Sequence, residues 1–294
     1  MRVEPTTPDN AALLIAAAFA QLPEVDAVAI AGSRVTRTAD DASDIDLYVY
    51  AATPVALADR IAIARQFAAR YEVGNDFWEP GDDWIAAGTG LLVDIMYRTP
   101  AWIEAQLDRI LVRHEASIGY STCFWHNVVQ AIPLFDRTGW FSRLQSAVSI
   151  PYPEPLRRAV VAKNYPILRQ TESSYLRQIE RAVRRHDSLS IQHRVSALLA
   201  SYFDILFAVN ALPHPGEKGL LAFATTRCRT LPPGMEDGIN ALLEVAAHPA
   251  TPEVVHRANA LLDALDAFIA GASLLPAPRS APPVQWRVTR GDGA

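Results

Sequence analysis

The sequence predicts an α+β protein: a small mixed β-sheet with flanking helices in the N-terminal part, followed by an all-α helical bundle. Three observations lead there. Strand-like runs at 25–31 (VDAVAIA), 45–50 (IDLYVY) and 91–97 (LLVDIMY) alternate with helical patterns within the first 112 residues. Beyond residue 101 strand signals nearly vanish, and helical stretches at 101–116, 119–131, 139–148, 154–186, 188–211, 235–247 and 251–273 fill most of the remainder. Finally, 294 residues, half apolar and a fifth charged, suit two globular domains better than one.

Taken in order, Thr7-Pro8 opens a helix, with proline at its first position, and the apolar run 11–20 (AALLIAAAFA) is that helix's buried face. The run could mimic a signal-peptide core, but Glu4 and Asp9 spoil the positive flank. It also has about half of the roughly 20 residues a membrane span needs. An amphipathic helix follows the second strand at 53–71, using Val55, Ile61, Ile63 and Phe67. Pro166 should break or kink the stretch 154–186, because it lacks an amide hydrogen and clashes with the preceding turn. Thr251-Pro252 marks a helix start and Gly271 a stop, and the last 20 residues, rich in Pro and Gly, read as an extended tail. The division that follows is 1–112, an α/β unit; 113–274, a helical unit; and 275–294, a Pro-rich tail. Cys123 and Cys228 lie far apart, in no CxxC or Cys/His pair, which argues for a reducing compartment and against structural zinc; the protein reads as cytoplasmic.

Charge is distributed unevenly. Residues 1–112 hold 8 Lys/Arg against 17 Asp/Glu, whereas 151–200 hold 9 against 4. An acidic first part facing a basic middle suits a site that handles metal and phosphate between them, although most of these charges are solvated helix faces.

The informative segment is 32–50 (GSRVTRTADDASDIDLYVY). A Gly-Ser pair follows the first strand, Asp44-Ile45-Asp46 begins the second, and Asp94 interrupts the otherwise apolar third. Side chains at i and i+2 of a strand share a face, so Asp44 and Asp46 can chelate together while Ile45 and Leu47 enter the core. Hard divalent ions such as Mg²⁺ prefer carboxylate oxygens and keep waters for substrate phosphates. Gly32 lets backbone approach phosphates closely, and Ser33 offers a hydroxyl and an amide. Asp94, between Val93 and Ile95, is costly if buried alone, so it binds metal or acts as a base, pairs with a cation such as Arg98, or sits at a solvated strand end. An EF-hand counted from Asp40 fails, because Ile45 and Ala51 occupy its glycine and glutamate positions.

With these residues in place the chain resembles the polymerase-β-type nucleotidyltransferase superfamily, in particular its minimal bacterial members and the aminoglycoside and lincosamide nucleotidyltransferases. The resemblance covers residues 20–98 and rests on Gly-Ser, about ten residues, Asp-x-Asp, and a further acidic residue on a later strand. It implies that Gly32, Ser33 and Arg37 hold a nucleoside triphosphate, and that Asp44, Asp46 and Asp94 bind two Mg²⁺ ions and complete the catalytic triad. It implies transfer of a nucleoside monophosphate from ATP or another NTP to a hydroxyl, with release of pyrophosphate. Where many members have Arg-Gly in the loop, this chain has Arg37-Thr38. Lys218, in the turn-rich segment 210–220 (NALPHPGEKGL), and Lys163 are candidates to reach the phosphates, as a second-domain lysine does in related enzymes.

The segment 76–84 (DFWEPGDDW) reads as an acidic, aromatic loop, and its Glu79, Asp82 and Asp83 are candidates to contact a small, cationic, antibiotic-like acceptor. Arg177, Arg181 and Arg184 share a helix face and are the sole support for an alternative: a toxin–antitoxin-type or regulatory nucleotidyltransferase acting on tRNA or protein. A nucleotide-binding protein without turnover is the other alternative. His126 and His193 read as ordinary helix histidines.

Overall fold

The computed structural model describes residues 7–32, 44–77, 79–248 and 251–276. The fold is α+β. Helix α1 (Pro8–Phe19) precedes β1 (Val25–Ala31) and β2 (Ile45–Ala51); α2 (Leu57–Phe67) leads into β3 (Ala68–Asn75), β4 (Gly81–Ala86) and β5 (Leu92–Arg98). Then come α3 (Pro100–Leu111), α4 (Cys123–Gln130), β6 (Ile132–Asp136), α5 (Trp140–Val148), α6 (Glu154–Arg169), α7 (Tyr175–Arg184), α8 (Ser188–Val209), α9 (Leu220–Arg227), α10 (Met235–Ala246) and α11 (Pro252–Gly271). As the sequence predicts, Thr7 caps α1: its hydroxyl accepts from the Asn10 amide at 3.3 Å and Pro8 sits in the first turn.

The six strands form one mixed sheet in the order β3-β4-β5-β2-β1-β6. Only the β2–β5 pair is parallel among these neighbours. Strand alternation divides the sheet's two faces. Ile45, Leu47, Val49, Val93 and Ile95 pack beneath α1 and α2, against Ile15, Phe19, Ile63 and Phe67. The opposite face gives Ala27, Ala29, Tyr48 and Tyr50 to a second core that continues without a break through Ile103, Trp125 and Phe141 into α6, α8 and α11. Sheet and helices thus share a core.

The structure differs from the sequence reading in five places. The helix expected over 53–71 ends at Phe67, and β3 begins at Ala68. The stretch 76–84 is not wholly a loop: β4 starts at Gly81, with Asp82, Trp84 and Ala86 alternating into the core under α1. Asp82 hid this strand, since an acid on the inward face breaks the apolar pattern. A sixth strand, β6, lies in the gap between the helical stretches read at 119–131 and 139–148 and pairs with β1, so the sheet draws on residues beyond 112. Pro166 lies inside α6, which runs on to Arg169; the break falls between α6 and α7 instead. Helix α9, just after the turn-rich segment, had not been anticipated.

Candidate active site

The parallel register of β2 and β5 sets Asp46 beside Asp94, and the antiparallel register of β4 and β5 sets Asp83 on the other side of Asp94. Paired residues of neighbouring strands project to the same face, so Asp83, Asp94 and Asp46 form a row across three strands, with Asp44 just before β2. Their strand neighbours Ile45, Val93 and Ile95 are fully buried on the other face. This alternation lets a strand interior carry an acid without placing it in the core. Asp94 is half-buried. Burial first, then the charges of Asp46 and Asp83, push its carboxyl up to about 6, against an opposing pull from Lys218. The row is a concentration of negative charge that favours a cation.

Gly32 ends the first strand at φ +73° and lies directly on this row. A Cβ there would meet Asp46 Oδ2 at 1.8 Å. Only glycine permits both this backbone conformation and this contact. Its neighbours Ser33 and Arg37 lie outside the described residues.

A cation that reaches the row comes from far along the chain, in the loop between α8 and α9. Lys218 Nζ stands 3.7 Å from Asp44 Oδ2, with the lysine side chain largely exposed. Its loop is pinned by His214, which is fully buried. The His214 amide donates to Thr122 Oγ1 at 2.7 Å, and the Gly216 amide donates to His214 Nδ1 at 3.1 Å. Cys123 Sγ lies 3.5 Å from the same Nδ1. Since Nδ1 accepts, the ring proton sits on Nε2, which has no hydrogen-bond partner among the described residues. Burial, with a contribution from His126, pulls the His214 pKa down to about 3, so the ring is neutral. The loop carrying Lys218 is therefore anchored on the N-terminus of α4.

Above this anchor sits Tyr120, with a left-handed backbone (φ +54°) and its ring 5.0 Å from that of His214. The residues flanking it are held by a buried network. The Gly119 amide donates to Asn164 Oδ1 at 2.8 Å, the Ser121 amide donates to Asp204 Oδ1 at 3.0 Å, and Ser121 Oγ donates to Asp204 Oδ2 at 2.6 Å. Burial raises Asp204 to about 7 against the lowering effect of its Ser121 and Asn164 donors.

The other sequence candidates divide. Asp83 joins the row and also accepts from Asn75 Nδ2 at 2.7 Å. Asp82, next to it, faces the opposite way and is fully buried. It pairs with Arg60 and accepts from the Gly74 amide and, at 2.6 Å, from Tyr97 Oη. Glu79 is taken by Arg98, through two bonds of 2.8 and 2.9 Å, and Arg98 lies over the Tyr48 ring at 4.2 Å. Arg98 is thus committed to Glu79 and not to Asp94, and the charges of Glu79 and Asp82 are spent on the protein's own arginines. Lys163 is exposed on α6, so of the chain's two lysines it is Lys218 that approaches the carboxylates. Arg177 pairs with Glu180 on its own helix and Arg181 with Glu172. His214 and Tyr120 had no place among the sequence candidates; the turn-rich segment around His214 was the available signal.

Among the described residues no three His, Cys, Asp or Glu side chains are already closed around a metal-sized point. Mg²⁺ does not demand such a cage, since it commonly binds through one or two carboxylates with waters and substrate phosphates completing the octahedron. An all-carboxylate donor set on one face, with Gly32 letting the Asp46 carboxylate pack against its backbone, fits that chemistry. No helix among the described residues is long and apolar enough to cross a membrane.

Comparison with known proteins gives distant likenesses. A family model described as a domain of unknown function (DUF4037) matches residues 126–219. No curated protein matches the chain. Among solved structures, a nucleotidyltransferase-like protein from Exiguobacterium sibiricum 255-15 is similar at 12% identity and a TM-score of 0.42, over 91% of this chain and 76% of that one. The Thermotoga maritima CCA-adding enzyme, solved with tRNA, is similar at 12% identity and a TM-score of 0.30, over 92% of this chain and 84% of that one.

Proposed function

We propose that the protein is a Mg²⁺-dependent nucleotidyltransferase that moves a nucleoside monophosphate from ATP or another NTP to a hydroxyl of a small molecule. The observation that carries this reading is the pairing of Asp46 with Asp94 across parallel strands, Asp44 sharing their face and Gly32 lying against the Asp46 carboxylate. In the reaction the acceptor oxygen forms a bond to the α-phosphorus, the bond from that phosphorus to the α–β bridging oxygen breaks, and pyrophosphate leaves. Asp94 takes the hydroxyl proton. Asp44 and Asp46 would be the principal residues to hold Mg²⁺, with Asp94 beside them. When bound, Mg²⁺ offsets the charge of the triphosphate and of the leaving pyrophosphate. Lys218 contributes a mobile positive charge at the phosphates, exchanging Asp44 for a phosphate oxygen as the nucleotide enters. Gly32, Ser33 and Arg37 are the further candidates to hold the triphosphate, as the resemblance implies; Ser33 and Arg37 lie outside the described residues.

The test is transfer of label from ATP carrying a tagged α-phosphate to a panel of hydroxyl compounds, tRNA and protein, with Mg²⁺ present or chelated. Labelled small-molecule product that requires Mg²⁺ and disappears in Asp46→Asn supports the reading. Label appearing on tRNA or protein instead would move it to the regulatory class, and absence of any product despite tight ATP binding would make the protein a nucleotide binder.

A further inference from the structure

The nucleotidyl-transfer reading leaves the acceptor unspecified, and a second feature of the fold bears on it. A groove of about 440 Å³ runs between the loop before α4 and helices α8, α9 and α10, walled by Tyr120, Leu199, Phe203, Leu220, Ile239 and Leu243. That volume lies in the range of small-molecule sites. Among the described residues its lining includes no Asp, Glu, Lys, Arg or His. One lip is Gly219, the residue after Lys218, whose ammonium lies against Asp44. Gly219 thus ties the groove's lip to the residue whose side chain reaches the carboxylate row.

Tyr120 is the most constrained part of the wall. A bulky side chain in the left-handed region is strained, and such strain persists only where the surroundings over-determine it. Here they do: Asn164 and Asp204 bind the residues on either side, while Tyr120, which lines the groove, is 40% exposed. A loop free to relax would put a glycine there. Held rigid, the ring forms a flat face in the same groove as Leu243, itself 44% exposed. Aromatic and aliphatic walls of this kind recognise a flat apolar body.

We infer that this groove is the acceptor pocket of the transferase, that its occupant is a small molecule with a flat, uncharged, largely apolar body carrying a hydroxyl, and that Tyr120 positions it. The inference rests on the nucleotidyl-transfer reading and replaces a cationic acceptor with an apolar one, because Glu79 and Asp82 are already paired.

The test uses the full chain and 2-naphthol, titrated by its own fluorescence and then offered as acceptor with Mg²⁺ and α-labelled ATP. Two groove variants at exposed positions, Leu243→Arg and Ala222→Trp, are compared with wild type, with melting temperature reporting their folding. One-to-one binding that weakens tenfold or more in both folded variants, together with labelled naphthyl product from wild type, supports the inference. Tyr120→Phe, which keeps the ring, should bind nearly as wild type, whereas Tyr120→Ala should raise KM for naphthol more than it lowers kcat. Equal binding by wild type and both groove variants overturns it, as does a dimer in sedimentation that Leu243→Arg dissociates, which would assign the groove to a second copy. An ATP titration of wild type separates the two claims: absent ATP binding removes the transferase reading itself, whereas ATP transfer to polar acceptors alone removes only the groove assignment.

Discussion

Lys218 Nζ lies 3.7 Å from Asp44 Oδ2, so a residue of the loop between α8 and α9 reaches the carboxylate just before β2. The contact is exposed on the lysine side and contributes little to stability. Lys218→Ala should leave the melting temperature within a degree or two while raising KM for the nucleotide about tenfold or more, the equivalent of roughly 1.4 kcal/mol of lost phosphate contact. Steady-state kinetics with varied ATP checks this; an unchanged KM would remove Lys218 from the nucleotide site.

Asp46→Asn keeps shape and volume but removes a charge from the acidic row. Transfer should fall on the order of 10³-fold, since metal-ion stabilisation of the transition state is worth several kcal/mol. Thermal unfolding should be unchanged or slightly improved, because one source of repulsion on Asp94 is gone. Full activity in this variant would contradict the metal assignment.

At Gly32 two costs coincide. Gly32→Ala places a Cβ in a left-handed backbone, at about 1–2 kcal/mol, and drives it into the Asp46 carboxylate. Calorimetry should show that loss of stability, and activity should fall further than stability explains, since the displaced group is Asp46 itself.

Asp82 is the counter-example, an acid with a structural task. It is fully buried and engaged by Arg60, Tyr97 and the Gly74 amide. Asp82→Ala leaves a partly buried guanidinium unpaired and should destabilise by about 3–5 kcal/mol. Asp83→Asn, one residue along and on the exposed face, should change the melting temperature little. Paired denaturation curves test the contrast.

Asp204 gives stability a pH dependence. Its folded pKa of about 7 exceeds the ordinary value of 3.8, so between these limits the folded state holds a proton that the unfolded state has released. Its contribution is fully present below pH 3.8 and is lost as pH rises through 7. The sign is opposite to that of a salt-bridged carboxylate. Asp204→Asn should flatten the fall in stability between about pH 4 and 7, as read from denaturant midpoints in a pH series.

Much of the site was legible because strands announce their faces. The alternation in IDLYVY and LLVDIMY puts Asp46 and Asp94 opposite their apolar neighbours, and both strands form as read. That the two acids are neighbours was not legible: parallel register is set by packing against α1 and α2, not by local pattern. Asp82 and Asp83 show the limit more sharply. Adjacent in sequence, they look like one acidic patch, yet period-two geometry sends them to opposite faces, one to Arg60 and one toward Asp94. Only the partner arginine, 22 positions away, reveals which is structural. Likewise the turn-rich segment around Lys218 was visible, but its anchor through His214 to Thr122 depends on contacts across 92 positions.

Strand β6 shields the outer side of β1, and it comes from well past the first helix of the second half. A polypeptide ending near residue 112 would keep the aspartates and lose that shield. Its β1 would present a bare row of amides and carbonyls flanked by Val28 and Ile30, a template for pairing with other chains. Shortened forms of this protein should therefore precipitate or form fibrils rather than act as a minimal enzyme, and during synthesis the N-terminal sheet stays adhesive until the ribosome has released β6.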